Sequence, residues 1–134
     1  MALAPSPGTA QPPEQELAAL RLPLDLRLSP QQLERVCRAN RDALLELAAD
    51  GQLIVMKATG GETSNRNSRL LIQLGIALHQ GDAKLRILDS SGGFLLTDGA
   101  VLSTEAALVR EERWQALTPD QRRGFPPVCP DLAI

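Results

Sequence analysis

Apolar positions along the chain change period several times, and each change marks an element. "LRLPLDLRL" (20–28) alternates Leu with Arg, Pro and Asp. That alternation predicts a short half-buried strand, which Pro23 confines to a sheet edge. Ser29-Pro30 supplies a helix N-cap followed by a proline in the first helical position. Leu33, Val36, Cys37, Leu44, Leu47 and Ala48 then fall at helical spacing, so one long helix is expected before Asp50-Gly51 turns the chain into the strand "QLIVMKA".

Beyond the Gly-turned loop "TGGETSNRN", Thr59 and Glu62 have capping-box spacing. A second helix is expected there, with Leu70, Leu71, Leu74, Ala77 and Leu78 as its buried face and Gly81 as its stop. "KLRILDS" (84–90) reads as a strand, and "GGFLLTDGAVLS" as a hairpin closed by Asp98-Gly99. "EAALV" (105–109) is a further strand and "TPDQRR" (118–123) a short helix capped by Thr118-Pro119. Leu132-Ala133-Ile134 begins another apolar run. The fold class is therefore α/β (α+β), with helices flanking a mixed sheet.

Composition narrows the functional classes. At 134 residues the chain makes one domain, and residues 1–16, rich in Pro, Ala and Gln, read as a disordered leader before a domain at 17–134. A net charge of −2 supplies no global basic field, so any nucleic-acid contact must come from a local patch. Aromatic residues at 2% argue against a base-stacking single-strand binder. Cys37, Cys129 and the single His79 lack metal-ligand spacing, so neither a zinc site nor a disulfide scaffold is expected, and both thiols read as buried and free. No signal peptide or membrane-length apolar run is visible, which places the protein in the cytoplasm.

The chemistry within reach is that of carboxylates and arginines. There is no phosphate-binding glycine loop and no nucleophile elbow. Glu46 in "LLELAADG", at the end of the first helix, and Glu105 in "STEAALV", at a strand start, are two acids at element ends. Such a pair can hold one Mg²⁺, which completes its octahedron with water and substrate phosphate. A Glu beside an apolar face is more often simply solvated. Arg66 and Arg69, three apart on the polar side of the second helix, can reach phosphates, as can Asn65 beside them, although a solvated helix face is the commoner role. Composition and spacing alone end at an α/β domain with acids at strand ends.

Four segments carry a resemblance: "LSPQQLERVCRANRDALLELAADGQLIVM", "TGGETSNRNSRLLIQLG", "LDSSGGFLLTDGAVLS" and "ERWQALTPDQRRGFPPVCPDLAI". Together they resemble the Uma-two family of restriction endonucleases, within the PD-(D/E)XK nuclease superfamily. The resemblance runs from about residue 20 to Ile134. It implies a restriction-endonuclease-like fold and Mg²⁺-dependent hydrolysis of DNA. It implies that Glu46 assists the site and that Glu105 stands at the core metal acid, where the family's usual Pro-Asp is replaced by Thr104-Glu105. The family's next strand runs from Pro-Asp-x-x-Ile into Glu-x-Lys or Glu-x-Arg, and here Ile134 is the last residue.

Three readings follow. The first is a C-terminally truncated endonuclease, catalytically incomplete, since one metal carboxylate and the activating cation are missing. The second is a non-catalytic interaction module that forms a homodimer or pairs with a complementing C-terminal chain through an exposed sheet edge. The third is a gene fragment or trimmed chain without a function of its own. A basic patch drawn from Arg66, Arg69, Arg110, Arg113, Arg122 and Arg123 is interrupted by acids at 111, 112 and 120.

Overall fold

The computed structural model describes residues 22–134. The leader expected over 1–16 lies outside the described residues, as does the start of the strand expected at 20–28. The rest of that strand turns at Leu24-Asp25, and only Arg27 bridges to a partner, Gln52.

Helix α1 (Pro30–Ala39) starts as its sequence requires. Ser29 Oγ accepts from the Gln32 amide at 3.1 Å, and Gln32 Oε1 accepts from the Ser29 amide at 2.7 Å, so two orphan donors of the first turn are satisfied reciprocally. The helix is shorter than its periodicity predicts. Asn40 Nδ2 donates to the Val36 carbonyl at 2.9 Å, and the Ala43 amide closes a turn onto Asn40 O at 3.1 Å. Residues 44–47 then form strand β1 (Leu44–Leu47) instead of the helix's last turns, and Glu46 is a strand residue. The reason is non-local: β1 pairs along its full length with β2 (Leu53–Met56), and Leu47 also pairs across to Val101. The intervening turn needs Gly51, whose φ of +85° is left-handed and where a Cβ would sit 2.9 Å from the Leu28 carbonyl oxygen.

Helix α2 (Gly61–Gln80) lies where it is expected, but its N-cap is Gly60 without a side-chain bond, so the Thr59–Glu62 capping box does not form. Leu70, Leu71, Leu74 and Leu78 are half-buried and Ala77 is exposed. No residue of α2 is fully buried. Strands β3 (Leu85–Asp89), β4 (Gly93–Leu95), β5 (Val101–Ser103) and β6 (Ala106–Arg110) follow. Helix α3 (Glu111–Gln115) was not predicted; helix α4 (Pro119–Arg123) was, with a complete capping box between Thr118 and Gln121. Strand β7 (Leu132–Ala133) ends the described order.

The α+β class holds, with the strands shared between two antiparallel sheets, β2-β1-β5-β4 and β3-β6-β7. The buried side chains form two apolar clusters, one on the four-stranded sheet and one shared between the two sheets through Phe94 of β4. Leu33, Leu47 and Val101 form one; Phe94, Ala107, Val109 and Val128 form the other, covered by Trp114 and Leu117. Only Thr104 and Glu105 separate β5 from β6, so the chain passes from one sheet into the other at these two residues. Among the described residues, no helix is long and apolar enough to cross a membrane. Both cysteines are free; Cys37 is half-buried, and burial pushes its thiol pKa up, whereas Cys129 is exposed rather than buried as expected.

Candidate active site

Glu46 and Glu105 approach the same stretch of backbone from different elements. Glu46 stands on β1 opposite Ile54, and its Oε1 accepts from the Ser103 amide at 2.7 Å. Ser103 ends β5, two residues before Glu105. In extended chain two residues span about 6.6 Å, so the two acids are set by one short segment at the junction of the sheets. Neither forms a salt bridge with a described Lys or Arg, in contrast to Glu34, Glu111, Asp120 and Asp131.

Glu105 is exposed at its side chain and fixed at its backbone. Its amide donates to Ile134 O at 2.8 Å, and Ile134 N donates to Ala106 O at 2.9 Å, so the chain after β7 lies directly beside the acid. Its Oε2 accepts from Asn67 Nδ2 on α2. Sequence reasoning missed Asn67, although a signal existed. Thr63, Asn67, Leu70, Leu71, Leu74 and Leu78 form the inward stripe of α2, and Asn67 is an amide among leucines. Asn65, Arg66 and Arg69 are exposed on the same stretch of helix. The contact through Asn67 therefore ties the inward face of α2 to Glu105, while Asn65, Arg66 and Arg69 lie on the opposite, exposed side of the same turns.

The other arginines named from the sequence divide. Arg110 and Arg113 are neutralised: both bind Asp131 Oδ1 at 2.9 Å, and Arg110 also reaches Glu112 at 3.3 Å. Asp131 is correspondingly held below the usual carboxylate range, first by the Arg110 backbone amide and then by the two guanidinium groups. Arg122 and Arg123 lie elsewhere, on α4. Glu111-Glu112-Arg113 spells Glu-x-Arg, but it sits on α3. Glu111 is bidentate to Arg86 at 2.6 and 3.0 Å and Arg113 is bound to Asp131, so neither side chain is available to the junction.

A family model described as "Uma2: Putative restriction endonuclease" matches residues 30–134. The chain belongs to the Uma2 family. The match takes in every element from α1 to β7 and includes both acids and Asn67. The PD-(D/E)XK placement is consistent with this family and with the α+β layout. No curated protein matches the chain.

The family implies a divalent metal, and the donors at the junction fit one in kind. Both are hard carboxylate oxygens, neither is matched by a described cation, and the adjacent Thr104 Oγ1 is buried without a hydrogen-bond partner. In number they are few: among the described residues no three His, Cys, Asp or Glu side chains gather as a ligand set.

Proposed function

We propose that the chain carries part of a Mg²⁺-dependent DNA endonuclease site, in which Glu105 and Glu46 are the metal-holding carboxylates. What supports this reading is one observation beside the family membership. Glu46 grips the amide of Ser103 while Glu105 follows two residues later, so two carboxylates without a described cationic partner are fixed to one segment.

A bound Mg²⁺ would polarise a phosphodiester and lower the pKa of the attacking water. The chain's own groups have narrower tasks. The Ser103 amide holds one Glu46 oxygen and leaves the other open. Asn67 orients the Glu105 carboxylate, and Asn65, Arg66 and Arg69 meet the DNA backbone on the exposed side of α2. Glu in place of Asp at 105 adds a methylene, and a displacement of about 1 Å can cost on the order of a hundredfold in rate. The resemblance draws a further carboxylate and a basic residue from a Glu-x-Lys or Glu-x-Arg strand, and the one Glu-x-Arg of this sequence is tied up on α3. The 134 residues alone are therefore expected to bind metal and DNA without cleaving. The free thiols suit the reducing cytoplasm.

The test is Mn²⁺ binding, read by loss of the free-ion paramagnetic signal, alongside nicking of supercoiled plasmid in Mg²⁺. The wild-type chain should bind Mn²⁺ and each of Glu46→Gln and Glu105→Gln should weaken it, with no nicking in any case. Mn²⁺ binding that neither substitution alters would overturn the assignment.

A second reading has its own observation. Leu132 and Ile134 on the β7 side are 46% and 49% exposed at the edge of the three-stranded sheet. An apolar edge strand is a template for pairing, which suits a homodimer or a complementing chain. Light scattering on the eluting protein tests it: a monomer at all concentrations removes this reading.

A further inference from the structure

Away from the two acids, a cleft of about 500 Å³ opens between the end of α1, the turn into β4 and the end of α4. Four arginines line it, Arg38 and Arg41 from one side and Arg122 and Arg123 from the other, with Glu34 the acid among the lining residues. On a chain of net charge −2 this is a local concentration of positive charge.

The four are not equally engaged. Arg38 binds Glu34 at 2.6 Å, and Arg123 binds Asp120. Arg122 is held by carbonyls alone, donating from Nε and Nη2 to Leu117 O at 3.1 and 2.9 Å and from Nη2 to Gln115 O at 3.1 Å. Those bonds fix its guanidinium without neutralising it. Arg41 has no hydrogen-bond or ion-pair partner among the described residues. Four cations against two carboxylates leave two charges unmatched, one on each wall. Attraction to helix C-termini accounts for Arg38, Arg122 and Arg123, but Arg41 lies beyond the end of α1.

The floor is open at Gly92, where a Cβ would meet nothing within 4 Å, and closed at Gly93, where a Cβ would sit 3.0 Å from Val101 and 3.2 Å from the Phe125 ring. Gly93 on β4 pairs with Ser103 on β5, the residue whose amide Glu46 holds. From β4 across β5 to β1 is two strand spacings, about 10 Å, or about three base-pair steps of 3.4 Å along the axis of a duplex.

We infer that this cleft binds the phosphodiester backbone of a DNA strand, a few nucleotides from the phosphate presented to Glu46 and Glu105. The identity of the polyanion rests on the nuclease reading; the cleft and its charge do not.

The experiment is fluorescence anisotropy of a labelled duplex in EDTA, over a range of salt, so that binding is read without cleavage. The paired change Arg41→Glu with Arg122→Gln, which removes the two unmatched charges, should weaken binding by at least about tenfold, and Arg41→Glu alone, which leaves the carbonyl bonds of α4 intact, should weaken it in the same direction. The paired change should also lower the slope of log affinity against log salt by about 1.8, the loss of two phosphate contacts. Arg66→Glu with Arg69→Glu on α2 is the comparison. If that pair weakens binding and the cleft pair leaves it unchanged, the cleft inference fails and the nuclease reading stands. If the wild-type chain binds no duplex even at low salt, both fail. Inorganic pyrophosphate is the competing probe: complete displacement of duplex at equal phosphate concentration would make this a site for a free phosphate anion and overturn the strand assignment.

Discussion

Helix α1 is ten residues long and buries Leu33 completely, whereas α2 is twice that length and buries no residue. The shorter helix is capped at its start by a reciprocal Ser29–Gln32 pair and is inserted between β1 and the end of α4. The longer one begins at Gly60 without a side-chain cap, rests a half-buried leucine stripe on β3, and makes no ion pair with any described residue. Ile72 and Ile76 on its outer side are 61% and 52% exposed. The two helices divide the work of the molecule. α1 belongs to the core, while α2 is held by partial burial, touches Glu105 through inward-facing Asn67 and leaves Asn65, Arg66 and Arg69 exposed on its outer side.

The most direct way to break this contrast is to shorten a leucine on each helix. Leu33→Ala empties a fully buried site packed with Leu47 and Val101, and should cost about 2–5 kcal/mol. Leu74→Ala removes a half-buried side chain and should cost about 1 kcal/mol, roughly half of what complete burial of a leucine contributes. Urea melts of the two variants decide it. Equal losses would mean that α2 is as integral to the core as α1.

Caps give the next largest difference. Ser29→Ala removes one half of a complete capping box and should cost about 1 kcal/mol. Thr59→Ala should leave the midpoint of the melt where it is, because Gly60 is the N-cap and no side chain caps α2. A loss at Thr59 matching that at Ser29 would show that the capping box of α2 forms in solution.

These pairs also mark where the sequence was legible. Ser29-Pro30 and Thr118-Pro119 named their helix starts, because a cap is a local event within four residues. β3, the β4–β5 hairpin and β6 were readable for the same reason: the alternation and the Asp98-Gly99 turn are contiguous. Leu44 and Leu47 fit a helix equally well by spacing. What made them a strand was β2 and Val101, one of which lies far along the chain. The Asn40-Arg41-Asp42 cluster was the local hint, being rich in turn-forming residues. α3 escaped notice because five residues carry too little periodicity. For the site, the residue types of Glu46 and Glu105 were legible, while Asn67 and the arginine cleft depend on contacts between distant segments.

A smaller effect sharpens the contrast at the site itself. Asn67→Ala removes the hydrogen bond from α2 to Glu105. A hydrogen bond to a charged group contributes up to about 1.5–3 kcal/mol when shielded, and an exposed one such as this should contribute about 0.5 kcal/mol. Mn²⁺ binding should weaken in the same variant, since the carboxylate loses its orienting donor. Unchanged Mn²⁺ affinity would leave Asn67 as a surface contact with no bearing on Glu105.

The smallest expected effect lies on the side of the molecule that, unlike α2, is tied by charge. Arg86 on β3 stacks over Trp114 at 5.3 Å from the ring centre and clamps Glu111 of α3 with two bonds. Arg86, followed by Gln115, holds the Glu111 carboxyl below the usual carboxylate range. Because the folded-state pKa is depressed, the clamp's contribution to stability is complete above the unfolded-state value and is lost as pH falls through the folded one. In Arg86→Met the Glu111 titration, followed by carboxyl carbon NMR, should move up toward the ordinary glutamate range. The stability gap between wild type and variant should narrow on acidification, leaving only the part due to lost packing on Trp114. A Glu111 titration that stays low without Arg86 would place the cause in Gln115 and the start of α3 instead, and the charge-tied region would then differ from α2 by packing alone.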